Sequence, residues 1–219
     1  KNKITFVIDN DGNIKVSGQK VSSITITNVK SPKVVKIDAD TKTAVKGAVL
    51  KITDSNNKEV DRWTTDGSEH TVKSLAQGTY TLSEVSAPDG YILSKETIKF
   101  TVDASGNTKN TSGTNVTKLE LKNTKNSIKI SKQDITTNKE LPGASLELKD
   151  KNGKVIDKWT STDKEHLIRG LAAGTYTLSE TISPKGYVLS KETISFTIDK
   201  NGKLTDKNGK TIDKVVMYN

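Results

Sequence analysis

A lysine amine, an asparagine carboxamide and a carboxyl group together can form a covalent amide: the amine attacks, ammonia leaves, and the carboxyl group moves the protons. The chain carries two such sets, Lys36 with Glu84 and Asn123, then Lys132 with Glu180 and Asn219. Every member of the second set follows the first by 96 residues (132 − 36, 180 − 84, 219 − 123), so no insertion or deletion separates them. These residues stand where strand alternation calls for apolar ones, since successive strand side chains point to opposite sides. From Ser127 to Asp134, Ile128, Ile130 and Lys132 share one face, and Lys129, Ser131 and Gln133 the other. Glu84 is in phase with Tyr80 and Leu82, and Glu180 with Tyr176 and Leu178. Asn123 is in phase with Leu119 and Leu121, as Asn219 is with Val215 and Met217.

Burying these groups without a use is costly, of order 3 to 5 kcal/mol when a buried charge lacks its partner. Desolvation disfavours both charges, so it drives a buried lysine towards the neutral, nucleophilic amine and a buried carboxylate towards the neutral acid. The neutral acid polarises the asparagine carbonyl and shuttles protons while the amine displaces ammonia. Pre-assembly of the reactants supplies an effective molarity of about 10⁵ M or more, enough to bring an inert amide within reach. Two non-covalent arrangements fit the same residues: side chains emerging at a rim, or a buried hydrogen-bonded salt bridge.

The elements that must position these residues are short, period-two segments. The stretch from Gly78 to Asp103 returns from Gly174 to Asp199, and its last piece appears again at Ile4 to Asp9, which marks a repeat array. Within a repeat, period-two runs are bounded by Gly, Asn, Asp and Pro at sandwich-like intervals, and no stretch of convincing length has helical periodicity. The predicted class is all-β, as tandem Ig-like sandwiches. The predicted units are residues 31–124 and 125–219, preceded at 1–30 by the closing hairpin of an earlier repeat, with strands at Ile4 to Asp9 and at Ser22 to Asn28. Asn28 would be the orphan cross-linking asparagine of that earlier repeat, with neither its Lys nor its Glu in the chain. With 32% hydrophobic and 5% aromatic residues, small sandwich cores are affordable and one large core is not. No cysteine is present, so disulfides and thiolate metal sites are excluded as staples. No apolar run is long enough to span a bilayer, and the first ten residues lack a signal-peptide core, which leads us to expect an internal piece of a longer protein.

The segment from Lys33 to Asp54, together with LAQGTYTLSEVSAPDGY from Leu75 to Tyr91 and a closing strand ending in Asn, resembles the B-type repeat of Gram-positive collagen adhesins and related pilin domains. The resemblance covers both full units and extends to the fragment ending at Asn28. It implies a prealbumin-like, inverse IgG-type sandwich. It also implies an isopeptide bond from a first-strand lysine to a last-strand asparagine, assisted by a glutamate. The matching positions are Lys36, Glu84 and Asn123, and Lys132, Glu180 and Asn219. Two departures between the copies fall in loops and leave the three-residue set intact: Lys46 stands where the second has Pro142, and VSAPDGY becomes TISPKGY. No sorting signal or pilin polymerisation motif is visible, and a stalk is the preferred reading over a pilus subunit. The implied setting is extracellular and wall-anchored in the parent protein, with neighbouring repeats as partners and a host-matrix ligand held through another domain.

The other candidates are weaker. The net charge of +9 comes from lysines interleaved with Thr, Ser and Asp, without a basic block or aromatic platform, so it marks a solvated surface and not a nucleic-acid site. Asp9 to Asn13 faintly resembles a calcium loop but lacks its downstream Glu and reads as a turn. His70 and His166 are equivalents in separate units and form no joint metal or catalytic site. Trp63 and Trp159 read as packing residues. Neither a cofactor motif nor a site for enzymatic turnover is indicated. The principal rival to a stalk is a module whose own exposed sheets or loops bind collagen or glycan.

Overall fold

A computed structural model describes residues 4–24, 31–73 and 75–219. Every regular element among them is a strand. The first three are β1 (Phe6–Ile8), β2 (Ile14–Val16) and β3 (Gln19–Val21), an antiparallel meander. A single hairpin resuming at Ser22 was expected here. Ahead of that point the chain reverses at Ser17 and Gly18, both left-handed at φ 50° and 81°, and β3 forms at once; residues 22–24 are outside any strand, and the rest of the expected strand, 25–28, lies outside the described residues. Two successive positive φ values make the tight turn that matches strand twist. Asn28 lies outside the described residues. Ile4, Phe6, Val7 and Ile8 remain exposed, so this sheet buries little apolar surface of its own.

Two sandwiches follow. The first comprises β4 (Lys33–Asp38), β5 (Lys46–Asp54), β6 (Glu59–Asp66), β7 (His70–Thr71), β8 (Gly78–Ser86), β9 (Thr97–Val102), β10 (Thr108–Asn110) and β11 (Lys118–Asn123). The second comprises β12 (Ser127–Gln133), β13 (Ser145–Asp150), β14 (Val155–Thr160), β15 (His166–Arg169), β16 (Gly174–Ile182), β17 (Thr193–Ile198), β18 (Leu204–Asp206) and β19 (Val215–Tyr218). Each has a five-stranded sheet, β10-β9-β8-β5-β6 or β14-β13-β16-β17-β18, facing a three-stranded one, β11-β4-β7 or β15-β12-β19. The short strands β10 and β18 have no counterpart in the sequence reading. They read Thr-Lys-Asn and Leu-Thr-Asp, too short and polar to show a period, and only tertiary pairing with β9 and β17 makes them strands.

The first and last strands of each sandwich pair in parallel. Leu121 lies opposite Lys36 and Asn123 opposite Asp38; in the second sandwich Met217 lies opposite Lys132. This pairing brings the ends of a unit side by side and sends Lys and Asn from neighbouring strands into one interior. The facing sheet contributes its middle strand: Glu84 on β8 pairs with Leu50 next to a register shift in β5, and Glu180 on β16 pairs with Leu146 at the same irregularity in β13. Around these polar groups lie apolar cores led by Leu50, Ile52, Leu82, Phe100 and Leu121 in one sandwich, and by Leu146, Leu148, Leu178, Phe196 and Met217 in the other. Tyr80 stacks on Phe100, and Tyr176 on Phe196.

The two sandwiches meet at a compact junction. The backbone N–H of Asn126 donates to Gly90 O and its carbonyl accepts from Gly170 N–H, both at 2.9 Å, while its Nδ2 donates to Leu171 O at 2.6 Å. Gly90 (φ +83°) sits so close to the second sandwich that a Cβ there would lie 2.6 Å from Gly170 O, which only glycine tolerates.

Candidate cross-linking site

Three strands deliver one polar residue each to the interior of a sandwich. Lys36 comes from the middle of β4, Glu84 from the middle of β8 and Asn123 from the end of β11; all three are buried. Lys36 Nζ lies 3.6 Å from Glu84 Oε1, with both side chains wholly enclosed, and donates to Lys122 O at 2.8 Å. Glu84 Oε2 accepts from Asn123 Nδ2 at 2.9 Å and from Ser94 N–H at 2.6 Å. Asn123 Nδ2 also donates to Ile92 O at 2.7 Å. The glutamate therefore bridges amine and carboxamide, one oxygen to each.

The second set repeats this arrangement, except that Lys132 Nζ makes no hydrogen bond among the described residues. Lys132 Nζ lies 3.3 Å from Glu180 Oε1, and Glu180 Oε2 accepts from Asn219 Nδ2 at 3.1 Å and Ser190 N–H at 2.6 Å. Asn219 Nδ2 donates to Val188 O at 2.6 Å. The carboxamide oxygens of Asn123 and Asn219 are buried without a hydrogen-bond partner. Such orphans are rare in folded proteins and call for an explanation.

Burial dominates the electrostatics. Desolvation pushes the Lys36 amine down to about 8, against the opposing pull of Glu84. Lys132 is lowered for the same reason, with Glu180 opposing. A lysine so shifted holds a usable fraction of neutral amine near neutral pH.

The carboxylate faces the amide nitrogen, whereas the sequence reading had it polarise the carbonyl. The physical reason is the acceptor at Ile92 or Val188, which turns Nδ2 towards the glutamate. Two further features escaped the sequence reading. Asp38, one alternation beyond Lys36, is buried and accepts from Tyr91 OH at 2.9 Å and from the Asp40 and Thr41 backbone N–H groups. Those bonds, the Thr41 N–H foremost, hold its carboxyl well below the usual range. Asp134 and Tyr187 repeat the pair at 2.6 Å. The signal lay in view, as both residues recur at the 96-residue offset. Ser131, placed on the outer face by alternation, is buried as well, because Glu140 folds over it and its hydroxyl donates to that carboxylate.

The remaining candidates fall into structural roles. Asp9 Oδ1 accepts from Asp11 and Asn13 N–H, the bonding of a turn. Trp63 stacks on His70 with ring centroids 4.0 Å apart, and His70 Nε2 lies 2.9 Å from Asp61 Oδ2; Trp159, His166 and Asp157 do the same. These clasps join an edge of the five-stranded sheet to the three-stranded one.

Residues 30–117 and 126–211 each match the SpaA prealbumin-like fold domain. The chain belongs to this family. Its prealbumin-like repeats are similar to serine-aspartate repeat-containing protein F of Staphylococcus epidermidis, at 30% identity over 210 residues, covering 81% of the chain and 12% of that protein. They also resemble the trypsin-resistant surface T6 protein of Streptococcus pyogenes serotype M6, at 33% identity over 87 residues, covering 36% of the chain and 16% of the relative. The chain thus spans under a fifth of the length of either relative. Among solved structures, the Bacillus anthracis TIE protein superposes with a TM-score of 0.51 at 28% identity, over 87% of the chain and 33% of that protein. The C-terminal fragment of the pilus adhesin SpaC from Lactobacillus rhamnosus GG shares the fold, with a TM-score of 0.52 at 19% identity, over 87% of the chain and 96% of the fragment.

Proposed function

We propose that residues 31–124 and 125–219 are stalk repeats of a Gram-positive cell-surface adhesin or pilin, each stiffened by a self-catalysed Lys–Asn isopeptide bond. The observation that carries this reading is the glutamate bridging a buried amine and a carboxamide in both repeats. In the reaction the neutral Nζ of Lys36 attacks Cγ of Asn123. Glu84 Oε1 takes a proton from Nζ, and the same carboxyl returns one to Nδ2 through Oε2. The Nζ–Cγ bond forms, the Cγ–Nδ2 bond breaks, and ammonia leaves. Lys132, Glu180 and Asn219 act in the same way. Each lysine reacts once and its product stays in the chain, so there is no turnover.

The bond would join first strand to last near both ends of a repeat, so tension along the chain passes through a covalent bridge and not through hydrogen-bonded strands. By analogy with a disulfide closing a loop of this size, it stabilises a repeat by about 4 to 5 kcal/mol. The surface setting follows the S. pyogenes relative, itself a surface protein by name. Intact mass of the denatured chain tests the chemistry: the reading expects a deficit of one ammonia per repeat, and a full mass identifies a non-covalent cluster. Screening the chain on matrix-protein and glycan arrays tests the stalk role, which saturable binding would replace with a ligand-binding one.

A further inference from the structure

The loop that follows β8 does different work in the two repeats. In the first, Gly90, Tyr91 and Ile92 meet the linker and the second repeat. Ile92 N–H donates to Thr124 O at 2.9 Å, Lys125 Nζ lies 3.4 Å from Asp38 Oδ2 and over the Tyr91 ring, and a Cβ at Gly202 would touch Ile92 Cγ1 at 3.2 Å. The equivalents 96 residues on, Gly186, Tyr187 and Val188, form the same loop: Tyr187 N–H donates to Pro184 O as Tyr91 N–H does to Pro88 O, and Tyr187 OH reaches Asp134 as Tyr91 OH reaches Asp38. Nothing lies on it. Gly90 is buried, whereas Gly186 is exposed with no atom within 4 Å of its would-be Cβ. Ile92 is 40% exposed but Val188 is 87% exposed, beside Ile135 at 66%.

Building on the tandem-repeat reading, we infer that the face formed by Asp134, Ile135, Gly186, Tyr187 and Val188 is a docking surface for the leading end of another repeat of this kind. Its linker would supply a lysine and an asparagine two and three residues after the cross-linking asparagine, as Lys125 and Asn126 do after Asn123. The chemistry specifies that occupant. Asp134 offers a carboxylate already oriented by Tyr187, the Tyr187 ring offers its face to the ammonium, and Gly186 keeps the positive φ that opens its carbonyl to an incoming N–H. An apolar residue as exposed as Val188 gains from coverage by a neighbour.

The test compares three chains by amide hydrogen exchange and residual dipolar couplings: residues 1–219, the same chain ending in an added Thr-Lys-Asn-Ser, and the chain extended by Thr-Lys-Asn and a second copy of residues 127–219. The expected result is that Val188 exchange slows to the rate of Ile92 only in the full extension, whose last two repeats share one alignment tensor. Equal Val188 exchange in all three chains, or protection by the short tail alone, overturns the assignment. Protection that grows with concentration in residues 1–219 also overturns it, in favour of self-association. Neither readout depends on ammonia loss, so failure of the cross-link chemistry and failure of the docking face are separately visible.

Discussion

In the proposed reaction Glu84 decides whether its neighbours react, because among the described residues it is the one group in contact with both the amine and the amide nitrogen. Replacing Glu84 by Gln keeps the shape and removes the base. Glu84→Gln is expected to abolish the deficit of one ammonia relative to the mass calculated from its own sequence and to lower the melting temperature of that repeat. The loss is about 4 kcal/mol or more, on the order of 15 °C for a domain of this size. Glu180→Gln has the same effect on the second repeat, and the double variant shows both. The Lys36 amine sets a pH dependence. Its value lies near 8, below its ordinary one, so the reactive neutral form grows as pH rises. In unreacted chain refolded from inclusion bodies, ammonia loss from the first repeat should quicken about tenfold per pH unit below 8 and level off above it. A rate that falls with rising pH contradicts a neutral-amine nucleophile.

At the scale of elements, period-two phase put Lys132, Glu180 and Asn219 in the interior, and the structure places all three there or at its edge. That phase was legible because the flanking residues are apolar and β12, β16 and β19 each have one buried face. What alternation could not convey was Ser131, buried by a carboxylate from a later loop, or the short strands β10 and β18, which exist only as partners of β9 and β17. Nor did it reveal that the Ile92 and Val188 carbonyls orient the amide, since backbone acceptors in a loop leave no trace in side-chain pattern. The strands themselves make a further prediction. Leu121 is fully buried beside Lys36 on the paired strands β11 and β4. Leu121→Ala should destabilise the first repeat by about 2 to 5 kcal/mol through the cavity it opens, measured by denaturant titration in a Glu84→Gln background that keeps unfolding reversible. A change below about 1 kcal/mol would mean that this interior is not packed as described.

Over the whole molecule, the proposed cross-links together with the Asn126 junction would give a chain that resists extension. Between Lys36 and Asn123 lie 87 residue steps (123 − 36), and the same number separate Lys132 from Asn219. Under single-molecule tension, neither segment should add contour length in the wild-type chain, while Glu84→Gln should release the first in one unfolding step. Release of both in the wild type contradicts a covalent stalk. The repeat architecture was readable from the 96-residue offset alone. The junction was not, because it depends on loops of one repeat meeting Gly170 and Leu171 of the next. The most direct measurement is tandem mass spectrometry of a proteolytic digest. The account predicts two branched peptides, Lys36 joined to Asn123 and Lys132 joined to Asn219, each short of one ammonia; linear peptides carrying free Lys36 and Lys132 with intact Asn123 and Asn219 would contradict it.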